Sequence, residues 1–168
     1  MLKNKRKNFL LSLLIFVIIF TFDRASKIYI LNLAEANNLV DIYINPFLNF
    51  HLIWNTGIGF GLFSFEENYY YNLITILIFF INIIIIVLIF KSSNSSFFFL
   101  LMILAGSSGN LFDRVYYRAV PDFIDLHYMN FHWFVFNVAD IFITIGITCL
   151  IIAEFFYNNK KKTNNEKI

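Results

Sequence analysis

"FFFLLMILAGSSGNLFDRV", residues 97–115, starts as a helix suited to lipid and ends as something else. Eight apolar residues run into two glycines, two serines, then Asn110, Asp113 and Arg114. An ionised side chain at the centre of a membrane helix costs about 2.5–3.5 kcal/mol on insertion scales, so these residues need partners. At 100° per residue Gly106, Gly109, Asn110 and Asp113 form one stripe. A polar stripe on an otherwise apolar helix predicts other polar stripes facing it.

The rest of the chain is built on the same plan. Of its 168 residues 59% are hydrophobic and 14% charged, against roughly 45–50% and 25% in soluble domains. A helix needs about 20 residues to cross the hydrocarbon, and four segments qualify: 9–33, 69–90, 97–112 and 134–157. The third is short and is extended by its polar end. A tight "KSSNSS" connection joins the second and third, and residues 158–168 form a polar tail. The basic start and apolar run resemble a secretory signal, but no convincing small-x-small cleavage site followed by a soluble domain is seen, so this run reads as a retained span. The single Cys149 excludes an intramolecular disulfide. The expectation is one membrane-embedded domain over 1–168, an α-helical protein of four transmembrane helices.

Lys and Arg set its orientation. Lys3, Lys5, Arg6, Lys7, Lys91, Lys160, Lys161, Lys162 and Lys167 fall on one side, whereas residues 34–68 contain no Lys or Arg. Only Arg114 and Arg118 lie in the other outer loop. Both termini are therefore expected in the cytoplasm. In the first outer loop, Phe50, Leu52 and Trp54 alternate with Asn49, His51 and Asn55. This period of two predicts a half-buried strand, hence a small sheet on the outer membrane surface. The glycines of "NTGIGFGLF" then mark a turn or a close backbone approach.

Two more polar stripes answer the first. Asp23, Ser26 and Lys27 share a face of the first span, with the acid four residues before the base. Asn137, Asp140, Thr144 and Thr148 share a face of the fourth. Counted at 1.5 Å per residue, Asp140 lies about 9 Å in from the outer side, at a depth similar to Asp23 and Asp113. Asp23 with Lys27 reads as a structural ion pair, and Gly106 with Gly109 as a site of close helix packing. Asp122, Asp125 and Asp140 resist such readings. No Lys or Arg lies close in sequence to Asp140. Two carboxylates brought together cannot both ionise cheaply and so share a proton. One can then activate water while the other donates a proton, which suffices to hydrolyse a peptide bond.

Five short motifs, in order along nearly the whole chain, resemble the boxes of lipoprotein signal peptidase, also called signal peptidase II. They are Asp23-Arg-Ala-Ser-Lys27, Asn55-Thr-Gly57-Ile-Gly59-Phe60, Gly109-Asn110-Leu-Phe-Asp113-Arg114, Val120-Pro-Asp122-Phe123-Ile-Asp125 and Phe136-Asn137-Val-Ala139-Asp140. The resemblance implies a bacterial inner-membrane enzyme with its site near the periplasmic leaflet and a small periplasmic sheet in the first outer loop. It implies removal of the signal peptide from diacylglyceryl-modified prolipoproteins, before the lipidated cysteine, and inhibition by globomycin. Asp122 and Asp140 would be the catalytic pair. Asp23, Lys27, Asn55, Gly57, Gly109, Asn110, Asp113, Arg114, Asp125, Asn137 and Ala139 would position or contact substrate. The expected partners are that prolipoprotein and membrane lipids, with no nucleic acid, no cofactor and no metal, and the expected state is a monomer. The chain departs from the family pattern at Gly59, where the family usually has Ala, and near Arg118, where a glycine is absent. Pro121 restricts Val120 to extended geometry.

Other chemistries fit less well. Gly106-Ser107-Ser108-Gly109 matches the G-x-S-G of rhomboid serine proteases, yet such a serine needs a base in reach, usually His, and His51, His127 and His132 all lie in outer loops. Ser26 and Lys27 are adjacent on a helix and point about 100° apart. No H-E-x-x-H occurs. Asp125, His127 and His132 could gather a metal but read as polar loop without a fourth ligand. A proton or cation transporter using Asp23, Asp113 and Asp140 finds few polar residues in the inner halves of the second and fourth spans, where Asn82 and Glu154 are too isolated to make a path.

Overall fold

The computed structural model describes residues 2–57, 68–92 and 95–165. In chain order the elements are α1 (Leu2–Asn37), β1 (Asp41–Asn45), β2 (Leu48–Asn55), α2 (Asn68–Lys91), α3 (Ser95–Tyr116), β3 (Val120–Tyr128), β4 (Phe131–Phe136) and α4 (Val138–Asn165). Three helical stretches, Tyr69–Lys91, Ser96–Tyr116 and Val138–Phe156, are long and apolar enough to cross a membrane. The 36-residue α1 is about 54 Å long, and Asp23, Arg24 and Lys27 interrupt its apolar run. Gly59 and most of "NTGIGFGLF", together with the centre of "KSSNSS", lie outside the described residues.

Polarity is distributed inside out. Large apolar side chains such as Phe22, Phe79, Phe80, Ile84, Ile151 and Phe155 face outward. Asp23, Lys27 and Asp113 are 0% exposed and Arg114 is 2% exposed. A lipid-facing exterior wrapped around buried ions is the arrangement a membrane rewards. Helix α3 is the hub and packs against α1, α2 and α4. Its seam with α4 depends on missing side chains. A Cβ on Gly106 would stand 2.6 Å from the Ala139 carbonyl oxygen, and one on Gly146 would stand 2.6 Å from Ile103 Cγ1. Close approach of small residues replaces the hydrophobic drive that lipid removes.

The sheet is larger than the first-loop sheet the sequence predicts. It has four antiparallel strands in the order β1-β2-β3-β4. The second outer connection, read as loop from sequence, supplies half of it. Strand β2 would otherwise expose an unpaired edge, and β3 covers that edge. A second correction concerns which face each residue takes. Between Phe50 and Ile53 the β2–β3 register slips by one residue. Simple alternation puts Asn55 opposite Phe50 and Trp54, but the bulge re-aims the strand. Asn55 is consequently buried and Trp54 is exposed.

A third correction concerns the fourth span. Residues 134–136 finish β4, and helix α4 starts only at Val138. Asp140 is thus in the first turn of α4, not six residues inside it. Asn137 precedes the helix and is not on its polar stripe. The backbone N–H of Asp140 donates to Asn137 Oδ1 at 3.2 Å, and the N–H of Asn137 donates to Asp140 Oδ2 at 3.1 Å. This reciprocal capping box starts the helix here. It also places an acid where the helix dipole favours negative charge.

Candidate active site

Where the sheet meets the helix ends, four elements deliver their polar side chains to one place. Asp122, the third residue of β3, is 2% exposed. Its Oδ1 accepts from Asn137 Nδ2 at 2.5 Å and its Oδ2 from Asn55 Nδ2 at 2.8 Å. Each amide is oriented by its own second bond. Asn55 Oδ1 accepts from the Gly57 N–H at 2.8 Å, and Asn137 Oδ1 accepts from the Asp140 N–H. Asn137 therefore yokes the two carboxylates, with its side-chain amide on Asp122 and its backbone N–H on Asp140. The other oxygen of Asp140 accepts from Asn110 Nδ2 at 2.8 Å.

Burial, and after it the charge of Asp140, push the Asp122 carboxyl from 3.8 up to about 7. Hydrogen bonds from Asn137 and Asn55 oppose this rise. A buried acid beside a second acid holds its proton near neutral pH, and titration belongs to the pair.

Behind the carboxylates lies a compact ion cluster. Lys27 Nζ donates to Asp23 at 3.0 Å, to Asn110 Oδ1 at 2.8 Å and to Asp113 Oδ2 at 2.7 Å. Asp23 Oδ1 also accepts from the Ala139 N–H at 2.9 Å, which pins the start of α4. The glycine beside it leaves room for that carboxylate, because a Cβ on Gly109 would meet Asp23 Oδ2 at 2.5 Å. The chain Asp122–Asn137–Asp140–Asn110–Lys27 is thus continuous across β3, α4, α3 and α1.

Two contributors carried no role in the sequence reading. Arg24 donates to Asp113 Oδ2 at 2.7 Å, contacts Asp23 at 3.2 Å and lies over the Phe112 ring at 5.0 Å. It was visible as a second basic residue in the first span. Tyr71 donates its hydroxyl to the Arg114 carbonyl at 2.8 Å, and the Arg114 guanidinium lies over its ring. A lone buried tyrosine on an apolar helix needs such a partner, although sequence alone does not say which. Arg114 itself donates to the Gly57 carbonyl, tying α3 to the end of the first hairpin segment. Asp125 stands apart from the yoke and lies 2.8 Å from His132 Nδ1 on β4.

The family model for signal peptidase (SPase) II matches residues 15–156, so it covers every element of this site. The chain belongs to the signal peptidase II family. It is therefore an aspartic peptidase. The chain is 58% identical to the lipoprotein signal peptidase of Pelagibacter ubique (strain HTCC1062) over 165 residues, 98% of each. It is 37% identical to the lipoprotein signal peptidase of Aquifex aeolicus (strain VF5), over 90% of this chain and 89% of that one. Among solved structures it resembles a bacterial membrane enzyme determined by the in meso method at 2.3 Å. That match has a TM-score of 0.69 and 28% identity, covering 89% of this chain and 90% of the other. The likeness thus spans helices and sheet alike.

Proposed function

We propose that this peptidase removes the signal peptide from diacylglyceryl-modified prolipoproteins, cutting before the lipidated cysteine with Asp122 and Asp140 as its catalytic pair. The observation that carries the reading is the Asn137 yoke. One residue holds Asp122 through its side-chain amide and Asp140 through its backbone N–H, and in this reading the two carboxyls share a proton. The ionised partner takes a proton from water, which attacks the scissile carbonyl. The protonated partner donates to the carbonyl oxygen, and the pair later protonates the leaving amine. Asn55 and Asn137 fix Asp122, while Asn110 and the helix N-terminus fix Asp140. Lys27, Asp23, Asp113 and Ala139 position α4 through the ion cluster. Arg114, Gly57, Gly109 and Asp125 are positioning or substrate-contact residues.

In this reading α1 is the fourth transmembrane helix, and the Lys and Arg distribution puts both termini in the cytoplasm of a bacterial cell. The site then lies near the periplasmic leaflet of the inner membrane, and the chain acts as a monomer without a cofactor. A groove lined by Ile28, Leu31, Ala34, Leu52, Trp54 and Tyr117, with Asn32 and Glu35 also on its wall, runs between α1 and the sheet. Trp54 pairs with Pro121, the neighbour of Asp122, so a lipid chain in this groove would bring its peptide to the carboxylates.

The test is cleavage of a diacylglyceryl-modified prolipoprotein by purified protein in detergent. Asp122→Asn and Asp140→Asn should each abolish turnover with an unchanged circular dichroism spectrum. Substantial cleavage by either variant would refute the catalytic pair.

A further inference from the structure

Away from the yoke, strands β3 and β4 bring together Asp125, His127 and His132, each offering a ligand atom within 4.8 Å of the others. Asp125 and His127 are two apart on β3, and their ligand atoms converge across the register slip between them. His132 is the direct cross-strand partner of His127. The register slip between Asp125 and His127 lets Asp125 reach the same ring, with His132 Nδ1 2.8 Å from its Oδ2. The two imidazoles stack with centroids 5.2 Å apart and planes 22° from parallel.

This cluster contains more acceptors than its own hydrogen bonds use. The Asp125 side chain is 6% exposed, yet its Oδ1 is buried without a partner among the described residues. His127 Nδ1 is likewise buried and unpartnered. Buried acceptors are normally satisfied, so two in one cluster call for a donor or a cation. We infer that Asp125, His127 and His132 form a binding site for a divalent transition metal of the zinc class. Two imidazoles and one carboxylate suit Zn²⁺, whose bonds to them are about 2.0–2.2 Å. Ligand atoms up to 4.8 Å apart require one adjustment, and the His132 side chain, 54% exposed, can make it by exchanging its bond to Asp125 for the metal. A fourth position stays open to water. The ion would staple β3 to β4, three residues beyond Asp122 and just ahead of Asn137. As isolated loop residues these three predict no metal; only strand pairing assembles them.

The full-length protein in detergent, stripped with EDTA, would be titrated with Zn²⁺ by calorimetry. One saturable site per chain is expected, weakened at least tenfold by His127→Ala and by His132→Ala. His51→Ala, which removes the only histidine outside the cluster, should leave it unchanged. Co²⁺ bound to the wild type should give intensified visible bands of low coordination number, independent of how well any variant folds. No saturable Zn²⁺ binding, wild-type affinity in both cluster variants, or a six-coordinate Co²⁺ spectrum would each overturn the site.

Discussion

Replacing Lys27 with methionine keeps the length and apolar stem of the side chain but removes its charge, so it isolates what that charge does. Asp23, Arg24, Lys27 and Asp113 form a neutral group of two acids and two bases, joined by contacts of 2.7–3.2 Å and by a closer one from Arg24 to Asp113. Removing one member of a buried pair typically costs about 3–5 kcal/mol, because the partner is left uncompensated. Here Arg24 still reaches both carboxylates and its side chain is 11% exposed, so about 3 kcal/mol is the better figure. For a chain of this size that lowers a thermal midpoint by on the order of 10 °C. The assay is thermal unfolding in detergent of Lys27→Met, Asp113→Asn and the double variant. If charge imbalance is the cause, the double variant, neutral again, should be more stable than Lys27→Met alone, and the cycle should show clear coupling. A midpoint within 2 °C of wild type (about half a kcal/mol) would refute the structural role. So would an inactive Lys27→Met variant with full stability, since Lys27 would then act on the chemistry directly.

Gly106→Ala gains about 1 kcal/mol of helix propensity, but its Cβ would sit 2.6 Å from a backbone oxygen, and overpacking costs about 1–3 kcal/mol. Net destabilisation with loss of activity is expected, because the displaced oxygen belongs to Ala139, next to Asp140; an unchanged midpoint would show that the seam has slack. Arg118 adopts φ 59°, a left-handed conformation costing about 1–2 kcal/mol for a side chain, so Arg118→Gly should raise the unfolding midpoint. A lower midpoint would mean that the Arg118 side chain contributes more than the strain removes. Asp122, raised from 3.8 to about 7, binds more protons folded than unfolded within that window. Stability should therefore fall as pH rises from about 4 to about 7, and Asp122→Asn should flatten that slope; an equal slope in the variant would refute the shift.

What the sequence made legible, and what it did not, follows from the range of the forces involved. Helices could be read because apolar length and periodicity are local. The ion cluster could be anticipated because Asp23, Lys27 and Asp113 lie where an unpaired charge is costly. The burial of Asn55 is not legible from β2 alone, because it depends on a one-residue bulge against β3, 67 residues away in sequence for the bond Asn55 makes. Alternation in β2 contains no trace of that slip.

Asp140 shows the same limit from another direction. The apolar run 134–157 hides the change from strand to helix, since Phe134, Val135 and Phe136 suit either. The local signal was nevertheless present: Asn137 followed three residues later by an acid is a capping pattern. Read that way, Asp140 belongs at a helix N-terminus, where dipole and backbone donors stabilise its charge. Asp122 lies in a strand without a comparable dipole, desolvated and beside a charged neighbour. On the proposed catalytic reading, any division of labour between these two chemically identical acids must come from their surroundings. Strand and helix meeting at one asparagine give the two acids unequal surroundings, and the proposed acid–base chemistry on a single water would use that difference.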